Sequence, residues 1–219
     1  MENGRVLPIS QEENNLKNAF LNSLLAGVFI SIGGTVFVSL ASGGNKIEGA
    51  ILFAVALLSI CMLGMFLFTG KVGYMVEDHS KTAILSLLCG LGGNFIGATV
   101  FGVFVSYALP SVQKYAASMC EKKLDLNLAG VFFLAFMCGI LMYTAVHIYK
   151  LHKSIAGVVF CVPVFILCGF EHSIADMFYL AAARAFSFKY LLFIIIVIIG
   201  NALGGMLIPF VKKFTEPKA

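Results

Sequence analysis

Glu171, His172 and Asp176 place three ionisable side chains inside a run that is otherwise apolar enough for a bilayer. An imidazole changes charge near neutrality, at about pH 6.5 when unperturbed, so His172 is equipped to donate a hydrogen bond to an anion or to exchange a proton with one. On either side, Ile155 to Leu167 and Met177 to Ala183 carry no charge. Ionisable groups at membrane depth cost several kcal/mol and mark polar paths or cavities. His172 is therefore read as the centre of such a path, against the plainer reading of a packed, hydrogen-bonded histidine. Glu171 reads as structural, accepting hydrogen bonds beside an interrupted helix. Asp176 reads as a helix-packing carboxylate, with a pore-facing position as the sharper alternative.

Composition says which elements must hold these residues. Of 219 residues, 60% are hydrophobic and 12% charged, and the mean hydropathy is +0.97. A soluble domain of this size would lack the charge to keep its surface hydrated, whereas a polytopic helical membrane protein would not. The net charge of +4 is spread over loops and does not describe a nucleic-acid surface. The six cysteines sit mostly within apolar runs with no C-x-x-C pair, as small apolar fillers. No metal-ligand spacing or nucleophile motif is present, so neither an enzyme nor a cofactor is expected.

An all-α membrane protein of six segments is expected, over about 20–41, 49–68, 83–109, 126–149, 155–183 and 190–211. A polar arm covers 1–18, the transmembrane domain 19–211, and a cytoplasmic tail 212–219. The second segment is interrupted at Leu67-Phe68-Thr69-Gly70 and the fifth at Phe170-Glu171-His172-Ser173. The link over 113–125, with Lys114, Glu121, Lys122 and Lys123, reads as aqueous. Lys and Arg set orientation: nine of the 15 fall on the side of the two termini, which places both termini in the cytoplasm and the chain in the inner (plasma) membrane.

The chain also repeats itself. Leu25-Ala26-Gly27-Val28-Phe29 returns as Leu128-Ala129-Gly130-Val131-Phe132, and Gly93-Asn94 returns as Gly200-Asn201. The offset of the first match carries Thr69 onto His172. Repeats of about 19–109 and 126–211 hold three segments each, an odd number, so the halves lie in opposite orientations. Paired interruptions in such repeats point to a site at the bilayer midplane. Breaking a helix there frees backbone groups that protein or water must satisfy, and Asn94 and Asn201 are the candidate partners. Helix N-termini at the breaks favour an anion. Phe53 and Leu57, one turn apart, with Phe165, Leu67 and Phe68 are candidates for apolar constrictions around His172. On periodicity alone they are equally ordinary core. Phe165, seven residues before His172, is read as sharing its helix face. Lys17, Lys122 and Lys123 are candidate vestibule charges that gather anions.

These residues resemble the formate/nitrite transporter family over nearly the whole chain. The resemblance is carried by Ala26-Gly27-Val28-Phe29-Ile30-Ser31-Ile32, Leu67-Phe68-Thr69-Gly70, Gly93-Asn94-x-x-Gly97, Gly169-Phe170-Glu171-His172-Ser173-Ile174-Ala175 and Gly200-Asn201-x-x-Gly204-Gly205. It implies an aquaporin-like fold, a homopentamer with one pore per protomer in the lipid bilayer, and passage of small monovalent anions. It places His172 at the pore centre, flanked by Thr69 and Asn201, with slits at Phe53, Leu57 and Phe165 and a loop carrying Leu67, Phe68 and Thr69. The chain departs from the family pattern at Met142-Tyr143-Thr144 and at Asp176. Those departures put hydrosulfide ahead of formate and nitrite. A channel for anions of weak acids is the first expectation and a proton-coupled transporter the second. A water channel is opposed by the lack of an Asn-Pro-Ala motif.

Overall fold

The computed structural model describes residues 16–215, so most of the polar arm and the last residues of the tail lie outside it. All regular structure among the described residues is helical. The order is α1 (Leu16–Ser42), α2 (Lys46–Met62), a single-turn α3 (Phe68–Lys71) that runs into a 3-10 turn (Val72–Val76), α4 (Lys81–Ala108), α5 (Pro110–Leu124), α6 (Leu128–His152), α7 (Ala156–Leu167), α8 (Ser173–Ala182) and α9 (Phe188–Thr215). Four of them, α1, α4, α6 and α9, are long and apolar enough to cross a membrane unaided. The expected second and fifth segments are instead the interrupted pairs α2–α3 and α7–α8. Outward faces are greasy: Phe104, Phe133, Phe160 and Phe188 are 62 to 81% exposed, as lipid or a neighbouring subunit requires.

Both interruptions are built alike. α2 ends where Gly64 takes φ 66° and Met65 N–H donates to Ile60 O at 2.9 Å; α7 ends where Gly169 takes φ 71° and Phe170 N–H donates to Phe165 O at 2.9 Å. A left-handed residue that closes a helix is strained for any side chain bearing a Cβ, so glycine stands at both. The chain then runs extended through Leu67 and His172, which N-cap α3 and α8. The first turn thus lies at Gly64, earlier than the expected Leu67–Gly70, and Thr69 and Gly70 belong to the short helix beyond it.

One asparagine fastens each break. Asn94 on α4 accepts from Phe68 N–H at 2.9 Å and donates to Phe66 O at 2.9 Å and Ser23 O at 2.7 Å. Asn201 on α9 accepts from Ser173 N–H and donates to Glu171 O and Ala135 O, each at 2.8 Å. Backbone groups that lipid could not satisfy are met by one side chain, on both sides of the gap.

The repeat is present in a different register from the one the sequence suggested. Gly64 and Leu67 correspond to Gly169 and His172, 105 residues on, so Leu67 and not Thr69 is the counterpart of His172. In the first helices the offset is 112. Gly27 of α1 lies against Asn94 O and Ala98 N, and Gly139 of α6 against Asn201 O and Gly205 N; Gly93 lies against Phe20 O, and Gly200 against Phe132 O. The Leu25–Phe29 likeness to Leu128–Phe132 is therefore compositional, and the counterpart of Gly27 is Gly139.

The short segments are exchanged between the halves. α8 packs chiefly on α4, and the α3 and 3-10 stretch packs on α6 and α9. The link expected to be aqueous is also folded in. Pro110 opens α5 and Val112, Ala116 and Cys120 are buried at four-residue spacing, one helical face that docks on α8 and α1.

Three substitutions test this packing. A Cβ on Gly27 would stand 2.5 Å from Asn94 O and 2.8 Å from Ala98 N, while one on Gly92 meets nothing within 4 Å. Gly27→Ala is expected to cost about 1–3 kcal/mol through overpacking and Gly92→Ala to be neutral or stabilising, read as thermal midpoints of the detergent-solubilised protein. Asn94→Ala leaves Phe68 N–H and Phe66 O unpartnered and is expected to cost about 1–3 kcal/mol for each; a midpoint equal to the unsubstituted protein's would refute the clasp.

Candidate functional site

The two breaks meet at His172. Its backbone is extended, and its Nδ1 accepts a hydrogen bond from Ala175 N–H at 3.1 Å, which makes the ring the N-cap of α8. Nε2 lies 2.9 Å from Thr69 Oγ1 of α3. With the Nδ1 lone pair occupied, the neutral ring carries its proton on Nε2 and donates to Thr69. A second proton on Nδ1 would set two N–H donors against each other and break the cap. The ring is 2% exposed and stacks on Phe165, with centroids 5.6 Å apart and planes 26° apart. Phe165 meets Phe53 edge-on at 5.9 Å. His172 and Phe165 do come together, but across a break and not along a shared helix face as the seven-residue spacing suggested.

A cavity of about 370 Å³ opens above this ring, lined by Phe165, His172, Glu171 and Asp176 together with Lys46, Lys122 and Lys123. A second, of about 330 Å³, is lined by Ile60, Cys61, Leu67, Lys71, Lys150 and Lys153. Along α2, Phe53 touches Phe165 in the first cavity and Ile60 lines the second, a rise of about 10 Å over seven residues. Leu57 lies at the depth between them. It, Phe53, Leu67, Phe68 and Thr69 are all buried, so two lysine-bearing cavities face each other across an apolar layer whose polar centre is the His172–Thr69 pair.

Several expectations change on this geometry. Asn201 is fully buried and commits its oxygen and both N–H groups to backbone, so it has the fastening role of Asn94 and no N–H left for a passing ion. The α8 N-terminus is also largely spoken for, since Ser173 and Ala175 N–H are bound to Asn201 and His172. Lys17 stands exposed at the start of α1 and is not among the residues lining either cavity, whereas Lys122 and Lys123 line the first. Lys46, Lys71, Lys150 and Lys153 were missed. The available signal for Lys71 was its place directly after Thr69-Gly70, and for Lys150 and Lys153 their place at the end of an apolar helix.

The first cavity holds more than lysine. Lys123 Nζ donates to Glu171 Oε2 and stands 3.0 Å from Asp176 Oδ1. Burial alone would lower the Lys123 pKa; the Asp176 and Glu171 carboxylates outweigh it and raise the ammonium above the ordinary lysine range. Tyr143, one of the two departures from the family pattern, packs its ring over Gly73 and stacks on His147 at 4.9 Å. It lines neither cavity. Asp176 is the departure that faces one.

The family model described as Formate/nitrite transporter matches residues 9–214. An uncharacterized transporter of Bacillus subtilis, YwcJ, is 30% identical over 178 residues, covering 72% of this chain and 70% of that protein. The formate-nitrite transporter of Plasmodium falciparum is 27% identical, covering 87% and 75%. Formate-nitrite transporter 3 of Toxoplasma gondii is 27% identical over 80% of this chain, but the match spans only 41% of its own length. Among solved structures, an FNT family ion channel superposes with a TM-score of 0.84 at 19% identity, covering 95% of this chain and 94% of that one. A pentameric formate channel with formate bound gives 0.77 at 21%, covering 91% and 96%. At such identities these two speak for the fold. The protein belongs to the formate/nitrite transporter family.

Proposed function

We propose that the protein is a multi-pass channel of the inner (plasma) membrane, both termini cytoplasmic, that passes small monovalent anions of weak acids. In this reading the two halves are inverted, six crossings in an aquaporin-like arrangement. The second cavity, on the side of the start of α1, opens to the cytoplasm. The chain assembles as a homopentamer, supported by its exposed phenylalanines and by the assembly state named for the formate-bound neighbour.

The observation that carries the reading is the pair of lysine-bearing cavities divided by a buried apolar layer with a hydrogen-bonding pair at its centre. Lysines gather the anion at either mouth. The layer then excludes it as a bare ion, since the idealised cost of moving a small ion into hydrocarbon is of order 20 kcal/mol. An anion that takes up a proton crosses as a neutral acid past Phe53, Leu57 and Phe165, and past Leu67 and Phe68. At the centre His172 Nε2–H and the Thr69 hydroxyl can turn to it as hydrogen-bond donors. Formate and nitrite are the first substrates to test, on the names of the family and of the relatives. Hydrosulfide is the third, resting on Asp176 now that Tyr143 lies away from both cavities.

A transporter that rocks one half against the other is the second reading. The exchange of short segments counts against it. α8 is held by α4, and α3 by α6, so rocking would pull Thr69 from His172.

Proteoliposomes that carry the purified protein are expected to take up formate, nitrite or hydrosulfide, faster as external pH falls. Impermeability to all three would end the reading. His172→Leu removes one donor to a neutral polar permeant, worth about 0.5–1.5 kcal/mol, and should lower flux about two- to tenfold at every pH. A loss confined to one end of the pH range would instead mean that the ring itself exchanges protons.

A further inference from the structure

At the first cavity one ammonium faces two carboxyl groups. Lys123 reaches both Glu171 and Asp176, and the two acids are 2% and 1% exposed. Were both ionised, one negative charge would stay uncompensated in a low-dielectric site, which proteins avoid by neutralising the group. A second observation points the same way. Asp176 Oδ1 has the Lys123 ammonium at 3.0 Å, while Oδ2 accepts no hydrogen bond among the described residues, although the residue lines the cavity. An asparagine of the same shape would serve a packing role equally well. What the carboxyl adds is a transferable proton, and His172 cannot hold one on Nδ1 without losing the α8 cap.

We propose that Asp176 holds one transferable proton beside the Lys123–Glu171 pair and hands it to the weak-acid anion arriving in the first cavity, an inference that rests on the conduit reading above. In the step, the carboxyl O–H bond breaks and an O–H bond forms on formate or nitrite, or an S–H bond on hydrosulfide. The neutral acid moves on toward His172. The carboxylate left behind takes its next proton from a hydronium ion on the aqueous side, and Lys123 remains an ammonium throughout. The groups that face Asp176 are Glu171 and His172 from the break, Lys123 and Cys120 from α5, Cys138 from α6, Tyr179 from α8 and Tyr190 from α9. α1 and α4 meet α8 through Gly34 and Gly102. Lys46 and Lys122 line the same cavity, and among the described residues Lys123 is the lysine shown in contact with the two acids.

The test compares the unsubstituted protein with Asp176→Asn and Asp176→Glu, which keep the size or the charge. Formate uptake into proteoliposomes is measured across external pH. Asp176→Asn removes the carboxyl that holds the proton, so the anion must take its proton directly from the aqueous side and half-maximal uptake should move to lower pH by about one unit or more, while Asp176→Glu keeps the original profile. A superimposable profile in Asp176→Asn, or an equal loss at every pH, overturns the proposal. Infrared difference spectra of the purified protein give an independent reading. A protonated-carboxyl C=O band at neutral pH should be present in the unsubstituted protein and absent in Asp176→Asn; its persistence there overturns the proposal as well. Vesicles impermeable to formate, nitrite and hydrosulfide would overturn the conduit reading and with it the hand-over. The Asp176-dependent band would still report the held proton, so the two failures are distinguishable.

Discussion

A helix interrupted at membrane depth leaves N–H and C=O groups that no lipid can satisfy, and the rest of this structure depends on how that debt is met. Asn94 and Asn201 each bridge a gap in the backbone, taking the first N–H of the next short helix and giving N–H to a carbonyl on the far side. That solution dictates the neighbours. Each asparagine must lie on a long helix close enough to reach the gap, which is why glycines thin α4 and α9 where they cross α1 and α6. It also leaves the residue at the gap, Leu67 or His172, extended and aimed into the interior. The buried polar pair between the two cavities is a by-product of the same clasp, since His172 caps α8 with one nitrogen and meets Thr69 with the other.

Much of this was legible in the residue order. Apolar runs, the ionisable trio and the two Gly-Asn pairs were enough to expect broken helices fastened from elsewhere, and the fastening residues are the ones singled out. What failed was register. Repeats that diverge in sequence keep contacts and not spelling, so the matching pentapeptides of α1 and α6 misled, while the true pairing of Gly27 with Gly139 shows only in what each glycine touches. The link over 113–125 was misjudged because its lysines hid a four-residue apolar period at Val112, Ala116 and Cys120. The family resemblance sets Asn201 beside the permeant, whereas the residue pattern makes it a partner for a broken helix end. Only its hydrogen bonds reveal that its capacity is used.

The two cavities are not equivalent. Lys71, Lys150 and Lys153 give the second a purely basic character in its charged lining, and Lys71 lies over the Phe66 ring at 4.6 Å. The first mixes three lysines with two buried acids. The two breaks are built alike, yet the cavities beside them are electrostatically lopsided, in part because Lys122 and Lys123 come from α5.

The swap of short segments has a consequence for how the chain is made. α3 is synthesised early, yet the long helices that hold it, α6 and α9, belong to the second half. When the first half leaves the ribosome, its re-entrant turn can be clasped by Asn94 but has no bed to lie in. Biogenesis must carry that unfinished loop until α6 and α9 are inserted, so the first half is completed only by the second.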